Sequence, residues 1–135
     1  MSHMGTPLFL RLDGSPDDVA SIREGLPVEL ITEVARRYDL SQHDVLEAAG
    51  IPRSSLHRYK GLGRLTREQS NRLYRVVYLL RRAEELFGTP HLAASWMKGP
   101  KVFLHGSSPL SYLDTEPGFQ AVEHLLGRLE DGPVT

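Results

Sequence analysis

The chain has 135 residues, 40% of them hydrophobic, with no cysteine and a formal net charge of −1. That length suits one compact domain or two small ones sharing a core, and the absent cysteines exclude a disulfide framework and a thiolate metal site. No apolar run approaches the roughly 18 residues that span a bilayer, and no signal peptide is visible, so a soluble cytoplasmic protein is expected.

The near-zero charge conceals segregation. Residues 1–50 carry four basic and nine acidic side chains, whereas residues 51–82 carry nine basic ones (Arg53, Arg58, Lys60, Arg64, Arg67, Arg72, Arg75, Arg81, Arg82) against Glu68 alone. Residues 83–135 return to acidity, with three basic and seven acidic side chains. A positive block of this kind is what a phosphate-contacting surface needs.

In chain order, Met1-Ser2-His3-Met4 reads as a cloning remnant and residues 5–14 as an arm around Leu8-Phe9-Leu10. Ser15-Pro16-Asp17-Asp18 opens a short helix with a cap, an early proline and acids at the positive end of the dipole. It stops near Gly25. A second helix runs from about Pro27 to Tyr38, with Val28, Ile31, Val34, Ala35 and Tyr38 on one face.

Ser41 then caps a helix carrying Val45, Leu46 and Ala49, which Gly50 ends. Ile51 plugs the turn, Pro52 fits the first turn of a new helix and Leu56 is its buried anchor. Glycine in the turn with an apolar residue six positions later is the pattern of a helix-turn-helix, whose second helix enters a DNA groove. An ordinary helical corner has the same pattern. The basic block begins at this second helix, which favours DNA and makes Arg53, Ser54, Ser55, His57, Arg58 and Lys60 the candidate DNA-binding residues.

Gly61-Leu62-Gly63 is a flexible connection that lacks the Lys-Ser/Thr of a P-loop. Thr66 and Gln69 fit a capping box at the head of a long helix to about Phe87, ended by Gly88. Its stripe of Leu73, Val76, Val77, Leu80, Ala83 and Phe87, with Tyr74 and Tyr78 beside it, is wide enough for contacts on two sides, within the chain or with a second subunit. Beyond Gly88 the helices shorten. One begins at Thr89-Pro90, Val102-Phe103-Leu104 makes a short strand or buried turn, and another brief helix holds Leu110, Tyr112 and Leu113. Thr115-Glu116-Pro117 opens the last helix, with Phe119, Val122, Leu125, Leu126 and Leu129 as its apolar face. Trp96 and Phe103 are expected in the core. The fold class is all-α.

No catalytic site assembles from these residues, and no cofactor or metal is expected. The six histidines are scattered, and the one metal-like spacing, His43 with Glu47, belongs to the exposed side of a short helix. Glu84 and Glu85 are adjacent and cannot share a helix face as an acid/base pair.

Several segments from Leu86 to Gly132 occur together: Leu86-Phe87-Gly88, Ala93 to Trp96-Met97, Leu104-His105-Gly106, Ser108-Pro109-Leu110, Leu113, Thr115-Glu116-Pro117-Gly118, and Val122 with Leu125-Leu126. As a set they resemble the C-terminal domain of Xre/MbcA/ParS antitoxins. Leu56-His57-Arg58-Tyr59-Lys60, Arg64-Leu65-Thr66 and Ser70-Asn71-Arg72-Leu73 extend the likeness, which covers roughly residues 27–132. The resemblance implies an antitoxin of a type II pair whose partner is a NAD-consuming RES-domain toxin. It implies a C-terminal domain that covers the toxin's active site and a helix-turn-helix part that dimerises and binds the operon's promoter. The chain then divides into a remnant and arm (1–14), an Xre-like helix-turn-helix region (15–65), and a long connecting helix with a small, mainly helical toxin-binding domain (66–135). Leu110, Glu116, Leu125, Arg128 and Leu129 are the candidate toxin-binding residues, with Arg128 placed to pair with a toxin carboxylate. A stand-alone helix-turn-helix regulator is the competing reading.

Overall fold

The computed structural model describes residues 12–56 and 63–132. Its helices are α1 (Asp17–Glu24), α2 (Glu29–Tyr38), α3 (Gln42–Ala49), α4 (Arg67–Phe87), α5 (Pro90–Lys98) and α6 (Glu116–Asp131), with 3₁₀ turns at Val102–Leu104 and Leu110–Tyr112. The fold is all-helical. Among the described residues the only β-type pairing is an isolated bridge between Pro27 and Arg64.

Most helix starts are set by side chains that satisfy free amides of the first turn. Ser41 and Asp44 form a reciprocal capping box at α3, and Thr66 with Gln69 forms the expected one at α4. Thr89 accepts from the Leu92 amide and Thr115 from the Gly118 amide, both at 3.1 Å. The start of α1 departs from the sequence expectation, because no side chain caps it. Asp18 instead turns inward, accepting from the Gly14 amide at 2.8 Å and the Tyr74 hydroxyl at 2.7 Å.

The 21-residue α4 is the axis of the molecule. It packs against α1, α3, α5 and α6. Leu73, Val76, Val77, Leu79, Leu80 and Ala83 are all buried within one chain, while Tyr78 on the adjoining face is 36% exposed. A single hydrophobic cluster runs from Leu12 through Tyr38 and Ile51 to Met97 and Leu126, and the helices on either side of α4 share it. Each fully buried Leu or Ile in it contributes about 1.5–3 kcal/mol relative to exposure. Leu12, at the end of the expected arm, belongs to this core, and its carbonyl accepts from Arg81.

Two close approaches hold the core's edges. Gly25 (φ +100°) lies against the Leu65 carbonyl, where a Cβ would collide. The same crossing is stitched by the Leu65 amide donating to Leu26 at 2.9 Å and by Val28 donating to Gly63 at 3.2 Å. The buried Ser70 hydroxyl accepts from the Leu26 amide at 2.7 Å. Gly118 sits in the first turn of α6 against the Tyr112 carbonyl, again with no room for a Cβ. The Thr-Glu-Pro-Gly run is thus a complete helix start: a cap, an early proline, and a glycine that lets the preceding turn approach.

Candidate functional site

Two surfaces concern function. At the first, α3 ends on Gly50 in the left-handed conformation, and Ile51 is buried beneath the turn. The Ser55 amide donates to Pro52 and the Leu56 amide to Arg53, which begins the second helix of a helix-turn-helix. Arg53 and Ser54 are exposed and Ser55 is half-buried. His57, Arg58 and Lys60 lie outside the described residues. The chain is anchored on both sides of that segment, by Ile51 before it and by the Gly63–Leu65 crossing after it.

The basic block does not form one open face. Arg64 donates to the Gly25 carbonyl at 2.8 Å, and Arg72 bonds Glu68 at 2.5 Å and the Gly50 carbonyl at 3.2 Å. Arg75 pairs with Glu116 at 2.9 Å and lies over the Phe119 ring. Arg82 reaches Glu130 at 2.5 Å and Glu123 at 3.5 Å, and Arg81 is spent on Leu12. Each of these arginines is thus held by a partner inside the chain, Arg72 and Arg81 by carbonyls of the first half and Arg75 and Arg82 by carboxylates of α6. The hydrogen bond to Glu130 raises the pKa of Arg82 against its partial burial, and the same bond lowers that of Glu130. Among the described residues, Arg53 and Arg67 are the cations of this block whose charge stays uncommitted.

The second surface belongs to the C-terminal unit. Its candidate residues separate into two groups. Leu110 and Leu125 are buried at 7% and 8% exposure in the isolated chain. Glu116 is exposed but tied to Arg75. Arg128 and Leu129 remain on the surface, with Leu129 41% exposed.

Phe103 corrects the sequence expectation. It is 70% exposed and its neighbour Val102 is 90% exposed, while Leu104 between them and the core is buried. A three-residue 3₁₀ turn between Lys101 and His105 cannot bury three consecutive apolar side chains, and Leu104 takes the single inward position. Trp96 is half-buried, its ring centroid 5.6 Å from that of Phe87 at a 36° tilt, with the Lys101 ammonium 5.0 Å from its ring. Burial lowers the Lys101 pKa. Arg128 lies 5.2 Å above the Phe103 ring, which brings the end of α6 to the exposed turn. The signal available in the sequence was the three-residue apolar run hemmed in by Gly99-Pro100 and Gly106.

His43 and Glu47 pair at 3.3 Å on the surface of α3. Glu84 faces α2, whereas Glu85 is exposed, so the two adjacent carboxylates serve different sides of α4.

Comparison with known proteins places names on these two units. Residues 17–78 match the antitoxin Xre-like helix-turn-helix domain, and residues 82–132 match the antitoxin Xre/MbcA/ParS C-terminal toxin-binding domain. An "Antitoxin Xre" of Photorhabdus laumondii is 39% identical over 118 residues, covering 86% of this chain and 80% of that protein. One of Yersinia enterocolitica is 39% identical over 116 residues, covering 84% of this chain and 78% of that protein. One of Pseudomonas putida is 34% identical over 68 residues, half of this chain and 43% of that protein. Their names are those of antitoxins, not enzymes. With both units matched in order and joined through one helix, the chain belongs to the Xre antitoxin family.

Proposed function

We propose that this protein neutralises a cognate RES-domain toxin by covering its NAD-binding active site, and that as a homodimer it binds promoter DNA of its own operon. The observation that carries the first part is the match of residues 82–132 to a toxin-binding domain. The RES identity of the toxin rests on the family resemblance of the sequence. The mechanism is steric and electrostatic, and needs no chemistry from this chain. Arg128 and Leu129 at the end of α6 are accessible to a partner, and with Leu110, Glu116 and Leu125 they make the proposed toxin-binding set.

The second part rests on the helix-turn-helix match and the exposed start of its second helix. Arg53, Ser54, Ser55, His57, Arg58 and Lys60 are its DNA-facing residues, with the cations neutralising phosphates and the small polar residues close to base edges.

Co-expression with the RES-domain protein encoded beside it tests the first part. Rescue of growth with restored cellular NAD supports it. Continued NAD loss despite soluble expression of both proteins overturns it. For the second part, gel shift on the operon's promoter is expected to weaken with Arg58→Ala, and unchanged affinity would displace the recognition helix from residues 53–60. Promoter binding without toxin binding would favour a stand-alone regulator.

A further inference from the structure

We propose that the Val102–Phe103 knuckle, with Arg128 over its aromatic ring, is the surface by which the C-terminal unit grips its toxin, entering an apolar recess rimmed by carboxylates. This rests on the antitoxin reading above and adds the contact surface.

The knuckle is exposed in a way that core packing does not explain. Val102 and Phe103 are the two most exposed large hydrophobic side chains of the described residues, and they are adjacent. Their backbone is also locked. The Lys101 carbonyl accepts from both Leu104 (3.1 Å) and Gly106 (2.9 Å), and the Lys101 amide donates to Ser107 at 3.0 Å. Leu104 is buried beneath, and its carbonyl accepts from the Tyr112 hydroxyl at 3.1 Å. His105 closes the turn with a left-handed backbone (φ 57°), a conformation a non-glycine residue holds only where its surroundings fix it. An apolar pair displayed on a rigid turn loses little conformational freedom on binding, which is how interface anchors gain affinity.

Charge selects the partner's rim. On α6, Glu123 and Glu130 both turn to Arg82. Arg128 turns the other way, over the Phe103 ring. The acidic C-terminal segment therefore presents a cation beside its exposed aromatic, suited to a recess with carboxylates at its edge. All of this lies inside the 82–132 toxin-binding match.

The test measures binding of full-length protein to the purified cognate RES toxin, made inactive by substitution in its own active site. Val102→Ser with Phe103→Ala should weaken binding by about 30-fold or more, as expected for loss of a central anchor, and Arg128→Glu should weaken it further. Both variants should keep the wild-type circular dichroism and promoter affinity, since their side chains are exposed. Val19→Ser, exposed on α1, should bind as wild type. Retention of wild-type toxin affinity by the Val102/Phe103 variant overturns the surface assignment, as does an equal loss in Val19→Ser. Loss of self-association with toxin binding intact also overturns it, and gives the knuckle to a second copy. Failure of the wild-type protein to bind the toxin overturns the antitoxin reading itself.

Discussion

Tyr38 on α2 donates its hydroxyl to Glu84 on α4 at 2.8 Å, and Arg37 grips the same carboxylate through Nε at 3.2 Å and Nη2 at 2.5 Å. Tyr38 has no exposed surface, so the Glu84 carboxylate gives its buried hydroxyl an acceptor across α2 and α4. Burial raises the Tyr38 pKa, and the Glu84 charge raises it further. For Glu84, burial pushes upward, but the hydrogen bonds from Arg37 and Tyr38 and the charges of Arg37 and Arg81 outweigh it, leaving the carboxyl below its ordinary 4.5. A depressed carboxylate stabilises the fold above its unfolded pKa and loses that contribution as pH falls through the folded value. Glu84→Ala should therefore cost about 1–3 kcal/mol at neutral pH, the penalty of a hydroxyl left without its acceptor. The variant's deficit should shrink on acidification below about pH 4.5. Denaturant unfolding followed at several pH values reads both.

Tyr74 gives an effect at the opposite end of the pH scale. Partial burial and the hydrogen bond to Asp18 push its pKa up from 10.0 to about 12. A tyrosine raised in the folded state stabilises fully below its unfolded pKa, and that contribution disappears as pH rises from about 10 towards 12. Wild-type stability should decline across that window, and Tyr74→Phe should decline less steeply. Alkaline absorbance titration of the folded protein should show tyrosines that ionise late.

Gly118→Ala should be disproportionately damaging for a one-carbon change in a helix. The added methyl would meet the Tyr112 carbonyl, which is fixed by the turn that also holds Leu110. A cost of about 1–3 kcal/mol is expected from overpacking, seen as a lowered melting temperature. Since that turn packs against both α3 and α6, the loss should appear in one cooperative transition rather than two.

Internal pairing of the basic block makes a prediction about DNA. Arg53→Ala should weaken promoter binding at every sequence tested and lower the slope of log affinity against log salt by about 1. Arg75→Ala removes the same formal charge, but that guanidinium is held by Glu116 and covers Phe119. It should leave the salt slope unchanged and reduce stability instead. Affinity measured over a salt series, beside thermal melting, separates the two.

Local chemistry carried much of the fold. Ser41 and Gly50, Thr66 with Gln69, and Thr115 with Pro117 mark helix limits through caps and backbone preferences that act within a few residues, so periodicity and punctuation were enough to find α3, α4 and α6. The stripe on α4 was equally legible, because helical spacing fixes which side chains share a face. Which element covers each face depends on contacts between distant segments. Sequence spacing could not show that the girdle of α4 is filled by the same chain on both sides, nor that Arg64, Arg72, Arg75, Arg81 and Arg82 bind partners within it. A run of charge along a sequence measures composition, whereas a phosphate-binding surface requires charges left unpaired in space. The same distinction exchanged Leu110 and Phe103. Both are large apolar residues beside turns, and hydrophobicity ranks them alike. Tertiary packing gave the inward position to Leu110, closed by α3 and α6, and left Phe103 outside because Leu104 already fills the space beneath the turn.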